Sequence, residues 1–185
     1  MRPFEGIKVI DATHVLAGPF AAYQLAVLGA EVIKIEDPTN NDQVREQGPD
    51  NKLNDEGMGT YYLAQAANKR SITLNLKSKA GKKILKKLIT TSDVFIENFR
   101  AGALDKIGLG YKDLKKHNQN LIYCAMTAFG QQGPRNNQTA YDMQIQATSG
   151  IMCSTGTADM GPVKVGPPVV DYATGSIAAF AIASA

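Results

Sequence analysis

Apolar positions along the chain recur with two periods. Short apolar runs bounded by turn residues occur at residues 7–11 (IKVID), 31–36 (EVIKIE), 71–75 (SITLN), 93–97 (DVFIE) and 121–127 (LIYCAMT), and these read as strands. Helical spacing fills the intervals. Residues 19–29 read as a helix, with Pro19 at a favoured first position and Gly29 as its stop. A short helix is expected at 60–67 and a longer one at 79–90, capped by Ser78. In the longer one Ala80, Ile84, Leu85, Leu88 and Ile89 share a face, and Lys79, Lys82, Lys83, Lys86 and Lys87 form a solvated face opposite. Short helices follow at 104–107 and 111–116, and a further helix at 140–150. Pro167 and Pro168 hold residues 166–170 extended, and a small, apolar, helix-like tail runs over 177–185. Asp171 falls where extended chain becomes helix. The polar stretch 37–59 is too long for a plain connector, so it is either a functional excursion or mobile. Strands alternating with helices, beginning with a tight β-turn-α-β unit, predict an α/β fold: a doubly wound, mostly parallel, Rossmann-like sheet with right-handed crossovers.

Composition narrows the function classes. With 185 residues, 44% hydrophobic and 20% charged, the chain supports one soluble body with a real core, a single domain over 1–185. A net charge of +3 gives no reason to expect a nucleic-acid partner. No apolar run approaches the roughly 20 residues that span a bilayer, so no membrane partner is expected. The first six residues lack an apolar signal core, which points to the cytoplasm. Cys124 and Cys153 are isolated thiols that fit a reducing compartment, and His14 and His117 are too far apart in sequence to suggest a metal site. The chain stops inside an apolar helical pattern with no glycine or basic cap, so it is expected to be a fragment of a longer protein.

In an open parallel sheet, ligands bind beyond the carboxyl ends of the strands. Glu36 ends the second strand as a ribose-binding acid would. The first turn, however, reads ATHVLAGP rather than G-x-G-x-x-G, and Val15 and Leu16 would crowd a pyrophosphate, so a nicotinamide site is set aside. Ala17 and Gly18 ahead of Pro19 leave backbone N–H groups open to an anion or thiolate. Arg100 and Lys77, at the ends of neighbouring strands, could neutralise phosphate; Asn75 and Asn98 offer amides. Singly, each is also an ordinary loop cap. Together they describe a site for a large polyphosphate cofactor with a buried reactive end. Asp171 has two readings at this point: a helix N-cap, or a carboxylate nucleophile held by the helix dipole and free N–H groups.

The segments GIKVID (6–11), VLAGPF (15–20), LGAEVIKIE (28–36), Asp42 with Arg45, NKRS (68–71), LNLK (74–77), ENFR (97–100) with Gly102, Gly130 with Gly133 and Pro134, and Asp171 occur in order and at compatible spacing. In these the chain resembles the N-terminal part of the class III CoA-transferases, the family that includes formyl-CoA transferase, carnitine CoA-transferase and α-methylacyl-CoA racemase. The resemblance implies coenzyme A as co-substrate, with an acyl-CoA and a small carboxylic acid as partners and no metal. It implies Asp171 as nucleophile, working through an aspartyl mixed anhydride and an aspartyl-CoA thioester. By motif position, Val15, Leu16 and Ala17 would line the CoA arm. Leu74, Asn75 and Lys77 would contact its nucleotide half, and Asn98, Phe99, Arg100 and Lys106 its phosphates and adenine. Tyr141, with Leu16, would face the acyl end. It further implies the large domain of a longer enzyme, with a smaller second domain, a return segment and an interlocked homodimer.

Departures refine this. Racemases of the family carry His where this chain has Tyr141, and a tyrosine, with an ordinary pKa of about 10, is a poor acid–base group at neutral pH. Transfer is therefore favoured over racemisation or isomerisation. Leu16, Thr139 and Asp37 stand where formyl-CoA transferase has Gln, Lys and Arg, so formate and oxalate are not implied as substrates; Ala101 replaces a usual Pro. The chain alone is expected to show weak or no turnover. A non-catalytic CoA-binding or dimerisation module is the alternative of a different class.

Overall fold

The computed structural model of the chain describes residues 2–185. The five apolar runs form strands β1 (Lys8–Ala12), β2 (Glu31–Glu36), β3 (Lys69–Thr73), β4 (Val94–Glu97) and β5 (Ile122–Ala125). Every neighbouring pair is parallel, in the order β3-β2-β1-β4-β5. Parallel pairing requires a crossover between strands. These are α1 (Ala17–Val27) after β1, then α2 (Asn51–Asp55) and α3 (Thr60–Ala66) after β2, α4 (Lys79–Ile89) after β3, and α5 (Ala103–Lys106) with α6 (Tyr111–Leu114) after β4. Beyond β5 come α7 (Asp142–Ser149), α8 (Ile151–Thr155) and α9 (Val169–Ser184). The expected doubly wound α/β sheet is the architecture observed.

The central strands β1, β2 and β4 feed both faces. Val9, Val32, Val94 and Ile96 point to one side, under Ala21, Ala22 and Leu25 of α1 and Ala178 and Ile182 of α9. Ile10, Ile35 and Phe95 point to the other, under Leu85 and Ile89 of α4, Leu104 of α5 and Leu114 of α6. Covering both faces is what lets the central strands carry apolar residues on both sides. Ser78 caps α4 as expected, its hydroxyl accepting the Gly81 N–H at 2.9 Å. No helix among the described residues is long and apolar enough to cross a membrane.

Four boundaries differ from expectation. β3 starts at Lys69 rather than residue 71: the charged pair Lys69-Arg70 looks solvent-seeking, but β3 is an edge strand and Lys69 turns inward to Asp11. The stretch 37–59 contains α2 and a 3-10 turn (Gln43–Glu46), capped by the side chains of Asp50 and Asp42. α8 follows directly on Gly150, which ends α7 in the left-handed region at φ 87°. Finally, α9 starts at Val169, immediately after Pro168, so Asp171 is the helix's third residue and not its N-cap.

α9 lies against the start of α1 at unusually short range. A Cβ on Gly175 would stand 2.6 Å from the Ala17 carbonyl oxygen and 3.0 Å from the Phe20 ring. Phe20 also meets Tyr172 edge-to-face, with centroids 4.8 Å apart. Gly175 thus sets the spacing between the helix carrying Asp171 and the turn entering α1. Alanine would favour helix by propensity, but a backbone carbonyl cannot step aside. Gly175→Ala is expected to destabilise by about 1–3 kcal/mol through overpacking, read as a lower urea midpoint; an unchanged or raised midpoint would show that the approach is loose.

Candidate active site

The crossovers leave β1 and β4 toward opposite faces: α1 packs on one core, α5 and α6 on the other. A crevice must open between them at the strands' carboxyl ends. A cleft of about 470 Å³ lies there. It gathers Val15, Leu16 and Ala17 from the turn after β1, Asn98, Phe99 and Arg100 from the turn after β4, Tyr141 before α7, and Asp171 on α9. His14 and Thr127, which follow the ends of β1 and β5 where a ligand is expected, complete much of the wall together with Met126, Gln138, Gln144, Ile145 and Thr174, and these last five carried no recognisable signal in the sequence.

The turn into α1 is held rigidly. Asn98 accepts the His14 N–H at 2.9 Å and donates to the His14 carbonyl at 2.8 Å, so both ends of its amide engage the backbone. Asn98 therefore shapes the wall, and its second amide N–H remains for a ligand in the cleft. Val15 sits at φ 71°, in the left-handed region that a β-branched residue rarely adopts. The Asp42 carboxylate holds it there, accepting the Val15 N–H at 3.1 and 3.2 Å. Asp42 is in turn held by the buried Lys34 ammonium at 3.1 Å, which also donates to the Thr13 carbonyl at 2.8 Å. The following N–H groups of Leu16, Ala17 and Gly18 have no protein acceptor among the described residues. Leu16 and Ala17 line the cleft, so their N–H groups stand at a helix start where an anion or developing oxyanion can be received.

Two further ion pairs brace this end of the sheet. Lys69 meets the fully buried Asp11 at 2.8 Å, and Lys69, with Lys34 beyond it, holds that carboxyl below its ordinary pKa against the opposing effect of burial. Arg45 grips both oxygens of Glu36, at 2.7 and 2.8 Å. Burial opposes ionisation of Glu36, but the Arg45 contact and the Asp42 N–H bring its pKa down to about 2. Glu36 is thereby occupied and 2% exposed, which removes it as a ribose ligand. Burial keeps His14 below its ordinary pKa, with Lys34 adding to the effect. His14 packs edge-to-face on Phe99, with centroids 5.5 Å apart.

The half-buried carboxylate of Asp171 accepts no hydrogen bond among the described residues. The helix-start N–H groups of Val170 and of Asp171 itself go instead to Oδ1 of Asp142, at 2.8 and 3.2 Å. Burial, and then the Asp142 charge, push the Asp171 carboxyl up to about 6. The helix start thus does not stabilise this carboxylate through its amides, as the sequence suggests; the carboxylate is left ionisable, unpartnered and open to the cleft.

Four candidate ligand residues lie outside the cleft. Leu74 is buried at 6% exposure in the core beneath α4. The Asn75 side-chain oxygen accepts the Lys77 and Ser78 N–H groups at 2.9 and 3.2 Å. Lys77 and Lys106 are exposed. Among the described residues no group of His, Cys, Asp and Glu side chains is arranged to hold a metal ion.

A family model described as CoA-transferase family III matches residues 4–185. Succinyl-CoA:glutarate CoA-transferase of Mus musculus is 45% identical over 98% of this chain and 41% of its own length. Acetyl-CoA:oxalate CoA-transferase of Acetobacter aceti is 42% identical over 99% of this chain and 46% of its own. The crystal structure of a CAIB/BAIF family protein from Brucella suis superposes with a TM-score of 0.92 at 41% identity, covering 99% of this chain and 48% of that one. The chain spans less than half the length of these relatives.

Because Asp42 serves both the ion pair and the Val15 turn, Asp42→Ala is expected to destabilise by about 3–5 kcal/mol, since it strands a buried ammonium. Urea unfolding measures this; a loss below about 1 kcal/mol would mean Lys34 finds another partner.

Proposed function

The chain belongs to CoA-transferase family III, and on that premise we propose that the complete protein transfers coenzyme A from an acyl-CoA to a carboxylic acid, with Asp171 as the covalent carrier. The observation that carries this reading is the unpartnered Asp171 carboxylate in the cleft, beside the free N–H groups of Leu16 and Ala17.

The steps balance without a net proton or electron change. A carboxylate oxygen of Asp171 attacks the thioester carbonyl carbon, the C–S bond breaks, and CoA leaves as thiolate from an acyl–aspartyl anhydride. The thiolate attacks the aspartyl carbonyl carbon; the bridging C–O bond breaks and the donor acid departs as its carboxylate. The acceptor carboxylate then attacks the aspartyl-CoA thioester and expels the thiolate. The thiolate closes the cycle on the acceptor acyl carbon, which releases Asp171. Each step passes through an oxyanion that backbone N–H groups can stabilise.

In this reading Val15, Leu16 and Ala17 line the pantetheine arm, and Arg100 pairs with phosphate. The nucleotide runs outward past Phe99 to the exposed Asn75, Lys77 and Lys106, with Leu74 supporting that surface from below. Tyr141, 57% exposed at the mouth, borders the acyl group together with Leu16. Succinyl-CoA with glutarate, and acetyl-CoA with oxalate, are the pairs to assay first, by likeness to the relatives. The chain would form much of the large domain of a longer cytoplasmic homodimer; the exposed Ile177 and Phe180 of α9, at 67% and 74%, suit burial in that larger assembly.

Incubating the complete protein with acyl-CoA and hydroxylamine should yield a hydroxamate at Asp171 by peptide mass spectrometry; an unmodified Asp171 in a turning-over enzyme would overturn the reading. Turnover should fall as pH drops through about 6, because the protonated carboxyl cannot attack. The same shift has a stability consequence of opposite sense. The folded carboxyl binds its proton more tightly than the ordinary value of 3.8, so stability declines as pH rises from there to about 6. Asp171→Asn should therefore abolish transfer yet raise stability at neutral pH by about 1 kcal/mol after allowance for partial solvent screening, the gain vanishing below the ordinary carboxyl range. A less stable Asp171→Asn at neutral pH would contradict this.

A further inference from the structure

We propose that Asp142 and Gln146 are positioning residues for Asp171: together they cap α9 from outside the helix, so that the Asp171 side chain is left without a hydrogen-bond partner and open to the cleft. This rests on the reading of Asp171 as nucleophile.

A helix start needs acceptors for its first N–H groups, and a side chain at the N-cap usually supplies one to the second or third residue. Pro168 occupies the N-cap and has no side-chain acceptor to give; only its carbonyl accepts, from the Tyr172 N–H at 3.2 Å. An aspartate in the first turn would ordinarily take up that role, and its charge would be stabilised there. Here Asp142, the first residue of α7, supplies Oδ1 to the N–H groups of both Val170 and Asp171. Its other oxygen accepts from the Gln146 amide one turn along α7. The Gln146 carbonyl oxygen accepts the Val165 N–H at 2.9 Å. Asp142 is 7% exposed and Gln146 fully buried. The chain Val165–Gln146–Asp142 thus ties both the proline-bearing approach and the start of α9 to α7.

This cap has two effects on the nucleophile. It fixes the backbone from which Asp171 reaches the thioester. It also places a second negative charge close by while taking the amides that would otherwise quench the Asp171 charge, so Asp171 stays more basic and more reactive than a capping aspartate. Ionisable groups on neighbouring elements are Asp142 and Tyr141 at α7, His14 before α1, Arg100 after β4, and Tyr172 on α9 itself. Of these only Asp142 joins burial in shifting Asp171.

Carbon-13 NMR titration of the complete protein labelled at aspartate carboxyls, with Asp171 assigned by its loss in Asp171→Asn, reads this directly. In Asp142→Asn the Asp171 midpoint should fall by about one pH unit, and the acid limb of the rate profile should move down with it. A midpoint that stays near 6 in folded Asp142→Asn would overturn the proposal. Gln146→Leu keeps the charge and breaks both amide links. It should lower kcat about tenfold or more with little change in KM for acyl-CoA and leave the Asp171 midpoint near its present value; unchanged kcat would equally overturn the proposal. If Asp171→Asn kept full turnover, the nucleophile reading would fail on its own, while the titration still decided what Asp142 does.

Discussion

Backbone N–H groups at a half-buried helix start need acceptors, and α9 finds them in a neighbouring helix. Asp142 takes the amides of Val170 and Asp171, which leaves the Asp171 carboxylate with burial on one side, a like charge nearby and no donor. Much of the site follows from that allocation. A carboxylate satisfied by its own helix would be stable and inert. One denied those bonds, with its pKa pushed up to about 6, is ionised at neutral pH and still basic enough to attack a carbonyl.

The opposite wall of the cleft obeys the same logic with charges in place of amides. Val15 adopts a backbone conformation that would relax if left alone. Asp42 prevents this, Lys34 pins Asp42, and Asn98 holds the adjoining His14 peptide from the β4 side. Buried ion pairs add little net stability, but here they fix which N–H groups point outward. Gly175 then sets the distance between the two walls, because no side chain fits between α9 and the Ala17 carbonyl.

The sheet was legible in the sequence because its signals are local. Apolar runs, Pro19, Gly29 and Ser78 each act within a few residues, and alternation of strand and helix is enough for a doubly wound order. The turns after β1 and β4 were legible as candidate ligand surfaces for the same reason. What escaped was decided by distant contacts. Asp171 looks like an N-cap in its own segment, and only the fold brings in a competing acceptor 29 residues earlier in the chain. Asn98 looks like a wholly free amide, yet it also holds the His14 backbone from the β4 side. Lys34 and Lys69 look solvent-facing, yet one lies in a strand covered on both sides and the other reaches inward from an edge. A lysine in the middle of the apolar run EVIKIE, and an aspartate and glutamine four apart at the start of a helix, were the available clues.

The claim that Asp171 carries the transferred group through anhydrides can be tested by following oxygen. In the proposed cycle the acceptor acid loses one carboxylate oxygen to Asp171 when CoA is captured. Turnover of the complete protein with an acyl-CoA and an oxygen-18-labelled acceptor acid should therefore leave oxygen-18 in the peptide containing Asp171, detectable by mass spectrometry after digestion. Full turnover with label confined to the acids and their thioesters would contradict the account.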